Sequence, residues 1–240
     1  MKNFIQKIFN FFGYNVKKIN ASLKKQNWIL RIGGSFIGWK QLESLPEIDT
    51  LIDIGVGPDG TEELYHCFKN AELILIDPLD EAKEYANKLS KNRKVIFFQS
   101  ALGKEDNIEK NMNIHRERGE SSFLEVGPIF ADGNYCTDIK KLKIQKLDTI
   151  LNDKQKLGRI GIKIDVEGFE LDVILGASET LKHTKFVIAE VRHCYESLKG
   201  VYKIHEFMNI MNKNNFTLSK ILTAKPQIAD LCFQPNNELF

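Results

Sequence analysis

Three glycines with the spacing Gly-x-Gly-x-x-Gly follow an apolar run near residue 50. They are Gly55, Gly57 and Gly60, and the run LIDI before them carries one acid, Asp53. Glycine permits tight turns and lets the backbone approach a ligand closely. This spacing after a strand is typical of loops that bind nucleotide cofactors. We therefore predict a strand, a nucleotide-binding loop and a helix over residues 51–68.

The acids around this loop indicate which nucleotide binds. A dinucleotide would place its negative pyrophosphate on the loop and on the following helix N-terminus, close to the carboxylates of Asp53 and Asp59. Those carboxylates would instead attract the ammonium and sulfonium groups of S-adenosylmethionine, which carries no phosphate. Asp77 ends the next apolar run, where it can accept hydrogen bonds from a ribose or begin a turn before Pro78. The loop favours S-adenosylmethionine.

A second group of charged residues lies in KIDVEG, residues 163–168. Lys163, Asp165 and Glu167 occupy alternate positions, so they lie on one face if the strand extends that far. Ionisable groups in a buried parallel strand are costly unless they are used. We predict that Asp165 contacts the cofactor tail or the reacting hydroxyl, that Glu167 acts as a base or orients the acceptor, and that Lys163 keeps both carboxylates ionised. A purely structural pair of Lys and carboxylate is the alternative.

His193 lies just after a further apolar run, in which Glu190 is the last acid. A histidine near this rim of the sheet is a candidate base at neutral pH, or else a solvated loop residue, and Glu190 is a candidate ligand for a substrate hydroxyl. His115, Arg116 and Arg118 could bind an anionic group such as a diphosphate or form a solvated charge cluster. No His or Cys cluster has metal-ligand spacing, and Asp165 with Glu167 alone is only a weak signal for magnesium, so we predict no metal site.

Apolar and amphipathic runs alternate along the chain and predict the elements that position these residues. Predicted strands lie at 51–54, 72–77, 94–100, 160–165, 186–191, 217–222 and 229–233, and predicted helices at 61–68, 81–89, 171–181 and 204–214. Between the third and fourth strands, residues 104–146 show period-2 spacing, which indicates a short antiparallel insertion. The sequence thus predicts an α/β fold: a Rossmann-like, mostly parallel sheet with an antiparallel last strand and helices on both faces.

The 240 residues suffice for one such domain, which we place at 46–240. A net charge of +2 gives no indication of nucleic acid as a partner. The four cysteines form no CxxC pair, which predicts reduced thiols and a cytoplasmic location. No apolar run is long enough to span a membrane.

Residues 1–45 carry no recognisable motif and are predicted to form an N-terminal helical segment. Within it, residues 1–20 place phenylalanines and isoleucines among lysines, without the cleavage site of a signal peptide. Such a basic amphipathic helix can pack on its own domain or on a second copy in a homodimer. It can also associate weakly with a membrane surface.

Several motifs together resemble a known family. DIGVGPDGT (53–61), IDP (76–78) and ALG (101–103) resemble successive cofactor motifs of the class I methyltransferases. More narrowly, three further stretches resemble the FkbM family: LDTIL (147–151), KIDVEGFELDVILGA (163–177) and IAEV (188–191). The resemblance implies a class I methyltransferase fold. It also implies transfer of a methyl group from S-adenosylmethionine to a hydroxyl of a sugar, nucleotide-sugar, surface glycan or polyketide.

The resemblance further implies a set of cofactor-binding residues: Asp53, Gly55, Gly57, Gly60, Thr61, Asp77, Ser100, Ala101, Ser122 and Asp165. The chain departs from the family at Asp77, where Glu is usual, and in the loop at Pro58 and Asp59. Two other functions stay open. An NAD-dependent oxidoreductase is disfavoured by the acidic loop, and a catalytically inactive subunit that binds a partner is disfavoured by the retained motifs.

Overall fold

The computed structural model describes residues 28–30, 36–38, 42–128, 136–152, 157–195 and 197–236. The strands in chain order are β1 (Trp28–Leu30), β2 (Phe36–Gly38), β3 (Thr50–Ile54), β4 (Glu72–Ile76), β5 (Val95–Phe98), β6 (Ala101–Leu102), β7 (Ile108–His115), β8 (Cys136–Gln145), β9 (Ile160–Ile164), β10 (Thr184–Arg192), β11 (Phe216–Ala224) and β12 (Ile228–Pro235). The helices are α1 (Glu62–Cys67), α2 (Asp80–Leu89), α3 (Leu147–Leu151), α4 (Glu170–Leu175), α5 (Ser178–Leu181) and α6 (Ile204–Lys213).

Seven strands form the main sheet, in the order β11-β12-β10-β9-β3-β4-β5. The strands from β10 to β5 in this order pair in parallel, whereas β12 runs antiparallel to both of its neighbours. Every residue of β3 and β9 is buried, which explains why their sequences are nearly continuous apolar runs. The predicted α/β fold, with a mostly parallel sheet and an antiparallel last strand, is confirmed.

Side chains of the central strands alternate between two apolar cores, one on each face of the sheet. Ile52 and Ile54 of β3 belong to the core that contains Phe207 of α6. Leu51, the residue before Ile52, belongs to the core that contains Leu64 of α1. Because successive side chains of a strand point to opposite faces, helices are required on both faces, as predicted.

The order of the strands reverses between β3 and β9, and the loops that follow these two strands are in direct contact. The N–H of Asp165 donates to the carbonyl of Ile54 at 2.9 Å, and the N–H of Gly55 donates to that of Ile76 at 2.9 Å. Gly55 has a φ of +81°, and a Cβ there would lie 1.7 Å from the carbonyl oxygen of Asp165, so only glycine fits. Open α/β sheets bind ligands at such a reversal, beyond the carboxyl ends of the strands.

The segment between β5 and β9 forms a separate three-stranded sheet, in the order β6-β8-β7. β7 and β8 are antiparallel, and β6 pairs with β8 in parallel. Met112, Ile114 and Leu142 on its inner face pack against Leu79 and Phe123. The antiparallel insertion is therefore confirmed, although its two long strands, of 8 and 10 residues, are not as short as predicted.

The helix predicted at 171–181 is two helices, α4 and α5. They are separated at Gly176, where a Cβ would lie 2.1 Å from the carbonyl oxygen of Gly103. α5 has its own cap from another element, because the carboxylate of Asp148 in α3 accepts the N–H groups of Glu179 (2.9 Å) and Thr180 (2.8 Å). The prediction of one continuous helix was wrong, since both features depend on distant parts of the chain.

In the predicted N-terminal helical segment, the structure describes residues 28–30, 36–38 and 42–45. β1 and β2 form an antiparallel pair with Ile29 opposite Ile37, so residues 28–30 and 36–38 are strands and not helix. Aromatic and β-branched residues, which are frequent in these two stretches, favour strands. The basic amphipathic helix predicted at 1–20 lies outside the described residues. Among the described helices, none has the length and apolar character needed to cross a membrane.

Candidate active site

Asp165 borders three neighbouring cavities at the carboxyl edge of the main sheet. The first cavity lies between the glycine loop and the ends of β4 and β5. The second lies between the glycine loop and strands β9, β10 and β12. The third lies between the end of β10 and the insertion. Their volumes are about 40, 150 and 470 Å³. Because all three are lined by Asp165, residues from separate motifs meet around one continuous edge.

Most of the predicted cofactor residues line the first two of these cavities. The first is lined by Gly55, Gly57, Asp77, Ser100, Ala101 and Asp165, and the second adds Gly60 and Thr61. Asp53 and Ser122 line neither of them. The exposed loop residue Asp59 lines none of the three cavities.

Asp77 fixes the glycine loop to the end of β4. One carboxylate oxygen accepts the N–H of Gly57 at 3.0 Å, and the other accepts the N–H of Leu79 at 2.8 Å. Burial raises the pKa of Asp77, and these two backbone donors oppose that shift. The bond to Leu79 is the turn interaction that the sequence offers as an alternative role. Because each oxygen can accept a second hydrogen bond, Asp77 can hold the loop and still receive a ribose hydroxyl.

The 3-10 turn at Arg118–Glu120, which follows β7, covers the first cavity. A Cβ at Gly57 would lie 3.6 Å from the Cα of Gly119. The side chain of Arg118 donates to Glu81 of α2 at 3.0 Å. The turn therefore forms one wall of the cavity in which a nucleoside would lie.

Asp53 lies below the glycine loop, fully buried, and accepts a hydrogen bond from the hydroxyl of Tyr65 in α1. Its register partner on β9 is Lys163. Burial raises the pKa of Asp53, and the positive charge of Lys163 opposes the shift. Asp53 thus supports the loop from beneath, and Tyr65 is a partner that the sequence analysis missed.

Lys163 and Asp165 form a close ion pair at the end of β9. Nζ of Lys163 lies 2.8 Å from a carboxylate oxygen of Asp165, and its side chain is only 9% exposed. Burial alone would lower the pKa of Lys163, but the carboxylates of Asp165 and Asp53 outweigh burial and raise it. Lys163 therefore remains protonated and holds Asp165 at the junction of the three cavities.

Glu167 follows two residues later and is held from both its backbone and its side chain. It has a φ of +54°, a conformation that non-glycine residues adopt only when their surroundings impose it. Its carbonyl oxygen accepts the hydroxyl of Ser122 at 2.6 Å, and its carboxylate forms an ion pair with Arg192. Ser122, predicted to contact the cofactor, is fully buried and instead holds the loop that carries Glu167.

The methyltransferase FkbM domain matches residues 53–218 of the chain, which contain all of these contacts. The chain belongs to this methyltransferase family. It is an enzyme of the S-adenosylmethionine-dependent class, and the interpretation as an NAD-dependent oxidoreductase is set aside. No curated protein matches the chain.

Several solved structures are similar to this methyltransferase. One is a putative S-adenosylmethionine dependent methyltransferase from Listeria monocytogenes, with 10% identity, a TM-score of 0.46, and 82% of this chain and 97% of that chain covered. Another is a methyltransferase from Aquifex aeolicus, with 14% identity, a TM-score of 0.41, and coverage of 81% and 86%. A third is the ribosomal protein L11 methylase from Lactobacillus delbrueckii subsp. bulgaricus, with 13% identity, a TM-score of 0.40, and coverage of 82% and 78%.

A buried carboxylate that the sequence analysis missed supports the KIDVEG loop of this methyltransferase. One oxygen of Glu170 accepts the N–H groups of Val166 (3.1 Å) and Gly168 (2.9 Å), and the other accepts the hydroxyl of Tyr202 at 2.9 Å. Burial raises the pKa of Glu170 to about 7, while these donors act in the opposite direction. Glu170 therefore fixes the backbone on both sides of Glu167.

Glu190 lies at the end of β10 and lines both the second and the third cavity. Its side chain is 12% exposed, and one oxygen lies 3.9 Å from Nζ of Lys225. Burial and the negative charges of Asp165 and Asp230 raise the pKa of Glu190 to about 8, while Lys163 and Lys225 act in the opposite direction. These influences together favour the neutral form of this carboxyl group.

The structure does not bring every predicted residue to the cavities. His193 is exposed, its Nε2 lies 3.0 Å from the carbonyl oxygen of Lys225, and it lines none of the three cavities. His115 lines the third cavity, whereas Arg118 lines the first and is paired with Glu81. Arg116 is exposed. The three basic residues 115, 116 and 118 are thus not assembled into one anion site.

Asp165, Glu167 and Glu190 offer carboxylate oxygens that all lie within 4.8 Å of one another. Like charges at this distance repel, unless a cation or a proton is shared between them. Lys163 pairs with Asp165 and Arg192 pairs with Glu167, so two protein cations already lie beside this group. Burial and the charges of Asp165 and Asp230 raise the pKa of Glu190, which reduces the repulsion within this group.

Proposed function

We propose that this methyltransferase transfers the methyl group of S-adenosylmethionine to a hydroxyl of a sugar, a nucleotide-sugar or a surface glycan. The observation that carries the proposal is the third cavity, with a volume of about 470 Å³. This volume is typical of sites for small molecules, which occupy roughly 300–1,000 Å³. The cavity shares Asp165 with both cavities on the cofactor side, so an acceptor bound there would reach the reacting centre.

The residues around the first two cavities fit S-adenosylmethionine, which supplies an electrophilic methyl group when bound. Asp77 would accept hydrogen bonds from the ribose, and Ser100 and Ala101 would lie beside the base. The carboxylate of Asp165, together with Asp53 beneath the loop, gives this edge the negative charge that suits an ammonium and a sulfonium. The N–H of Gly57 is already donated to Asp77 and is not available to a pyrophosphate.

The lining of the third cavity favours a hydroxyl-rich acceptor. Carboxylates accept hydrogen bonds from hydroxyl groups, and guanidinium, ammonium and amide groups donate to ring and hydroxyl oxygens. The cavity offers both kinds of group: Asp165, Glu167 and Glu190 as acceptors, and Arg192, Lys225 and Gln227 as donors. Glu167 and Arg192 would orient the acceptor.

Cys67, Cys136, Cys194 and Cys232 are free thiols, which supports our proposal of a cytoplasmic location.

The direct experiment is turnover of S-adenosylmethionine with a labelled methyl group against a panel of acceptors. The panel should contain neutral oligosaccharides, nucleotide-sugars, uronic acids, and amine and thiol compounds as controls. Mass spectrometry of the products should find the label in at least one compound of the sugar group. Label found only in amines or thiols would contradict the proposal.

A further inference from the structure

A base for methyl transfer to a hydroxyl must meet two requirements. It must lie where the acceptor and the cofactor meet, and its pKa must be near the working pH, because an efficient base is both ionised and able to bind a proton. A sugar hydroxyl is a weak nucleophile until its proton is removed, and general base catalysis contributes roughly 10²–10⁴-fold to the rate. Three carboxylates of this site are close enough to be considered.

Glu190 meets the requirement of position. Its side chain lies in the wall that the second cavity, beside the glycine loop, shares with the third cavity, where we place the acceptor. One of its oxygens lies within 4.8 Å of oxygens of Asp165 and Glu167. The opening of the third cavity beside it offers a path by which a proton can leave for solvent.

The other two carboxylates are already engaged by cations at close range. Asp165 is paired with the buried Lys163 at 2.8 Å, and Glu167 is paired with Arg192. The cation at Glu190 is Lys225, at the longer distance of 3.9 Å.

The groups that face Glu190 from the elements around it favour its protonated form. Burial is the largest influence, followed by the charges of Asp165 after β9 and Asp230 on β12. Lys163 on β9 and Lys225 between β11 and β12 act in the opposite direction. The pair of Glu167 and Arg192 on the remaining side carries opposite charges and adds little net field.

We propose that Glu190 is the general base that accepts the proton of the acceptor hydroxyl. This inference rests on the proposed function. The hydroxyl oxygen forms a bond to the methyl carbon as the carbon–sulfur bond breaks, and the electron pair of that bond stays on sulfur, which becomes a neutral thioether. The hydroxyl proton passes to the carboxylate of Glu190 and is then released through the third cavity.

The test compares the parent enzyme with Glu190→Gln, with Glu190→Asp and with the control Glu179→Gln. Gln has the shape of the protonated carboxyl group but cannot accept the proton. Glu179 is exposed on α5, is paired with Lys182 and lines none of the three cavities. We expect Glu190→Gln to reduce turnover by roughly 10²–10⁴-fold, Glu190→Asp to retain part of the activity, and Glu179→Gln to match the parent.

Two further readouts separate a base from a residue that only supports the fold. In the parent, kcat/KM should rise with pH to a plateau with a midpoint near 8, and Glu190→Gln should lose this rise. Without acceptor, the affinity of Glu190→Gln for S-adenosylhomocysteine should stay within threefold of the parent. Because a raised carboxyl pKa makes the folded state less stable as pH rises from about 4.5 to about 8, the melting temperature of Glu190→Gln should increase relative to the parent over that range.

Each other outcome overturns the inference. If the parent methylates a hydroxyl and Glu190→Gln turns over within threefold of it, Glu190 is not the base, although the proposed function stands. If EDTA abolishes the activity and Mg²⁺ restores it, the three carboxylates serve a metal ion instead. A parent that methylates only amines or thiols would overturn the proposed function and this inference together.

Discussion

At the scale of single residues, the carboxylates of this enzyme do different work because they have different partners. Asp77 accepts two backbone N–H groups, and Glu170 accepts two backbone N–H groups and a tyrosine hydroxyl. Asp165 and Glu167 are paired with cations. Glu190 lines the second and third cavities, and burial raises its pKa to about 8. Asp77 and Glu170 are therefore expected to hold the loops in place, and Glu190 is expected to accept the proton of the acceptor.

Asp77→Ala should weaken binding of S-adenosylhomocysteine by about 1–3 kcal/mol. The substitution removes the acceptor for a ribose and also frees the N–H of Gly57, so the glycine loop loses its anchor to β4. Isothermal titration calorimetry measures the change. The control is Asp80→Ala, three residues further on, which lines none of the three cavities. Equal affinity in both variants would mean that Asp77 is only a turn residue.

Glu170→Ala should reduce the free energy of unfolding by about 3 kcal/mol, because it leaves buried donors without acceptors. Tyr202→Phe removes only the hydroxyl partner of Glu170 and should cost about 1 kcal/mol. Urea unfolding followed by circular dichroism gives both values. If the two variants are equally stable, the hydrogen bonds from Val166 and Gly168 to Glu170 add nothing measurable to the stability of the fold.

The sequence predicts the residues of the site better than their roles. Asp77, Asp165 and Glu167 could be found because each follows an apolar strand at the edge where ligands bind. Glu170 could not, since nothing in KIDVEGFEL indicates that this acid turns back on its own loop and meets Tyr202 from a distant segment. The position of His193, outside the cavities, depends likewise on its contact with Lys225. Long-range contacts of this kind leave no local pattern.

At the scale of elements, the carboxyl edge of the main sheet carries the site, and the insertion packs against that edge. Strands β3 and β9 hold Asp53 and Lys163 in register, whereas the turn at Arg118–Glu120 rests on the glycine loop through Gly57 and Gly119. The ion pair from Arg118 to Glu81 is partly exposed, and such pairs contribute little, about 0–1 kcal/mol. This ion pair therefore adds little to the contacts that hold the turn in place.

Hydrogen exchange should show whether the cofactor is enclosed beneath this turn. Amides of residues 117–121 should exchange more slowly with saturating S-adenosylhomocysteine than in the protein alone, because the ligand would lie beneath the turn. Amides of α6, which lines none of the three cavities, serve as the internal control. Unchanged exchange in 117–121 at saturation would show that the cofactor enters without passing this turn.

The elements themselves were predictable wherever a local pattern was strong. Apolar runs predict all seven strands of the main sheet, and period-2 spacing predicts β7 and β8. The break between α4 and α5 was missed because it depends on the approach of Gly176 to Gly103 and on the cap from Asp148. Predicting it would require the tertiary structure.

At the scale of the whole molecule, three cavities at one edge of the sheet share a single residue, Asp165. This arrangement places the glycine loop on one side of the carboxylates and the cavity proposed for the acceptor on the other. Displacement at a methyl group requires the nucleophile and the leaving group to lie on opposite sides of the carbon, and fixed alignment of this kind can supply much of the rate enhancement. An acceptor bound in the third cavity, as we propose, would be placed for direct transfer.

Delivery of the methyl group to a hydroxyl oxygen can be tested by identifying the atom that receives it. The protein should be incubated with S-adenosylmethionine labelled with ¹³C in the methyl group and with an acceptor that turns over. The ¹³C chemical shift of the purified product distinguishes methyl on oxygen from methyl on nitrogen, sulfur or carbon. We expect a single O-methyl signal that correlates with a proton of a sugar ring. A signal from an N-, S- or C-methyl group would contradict it.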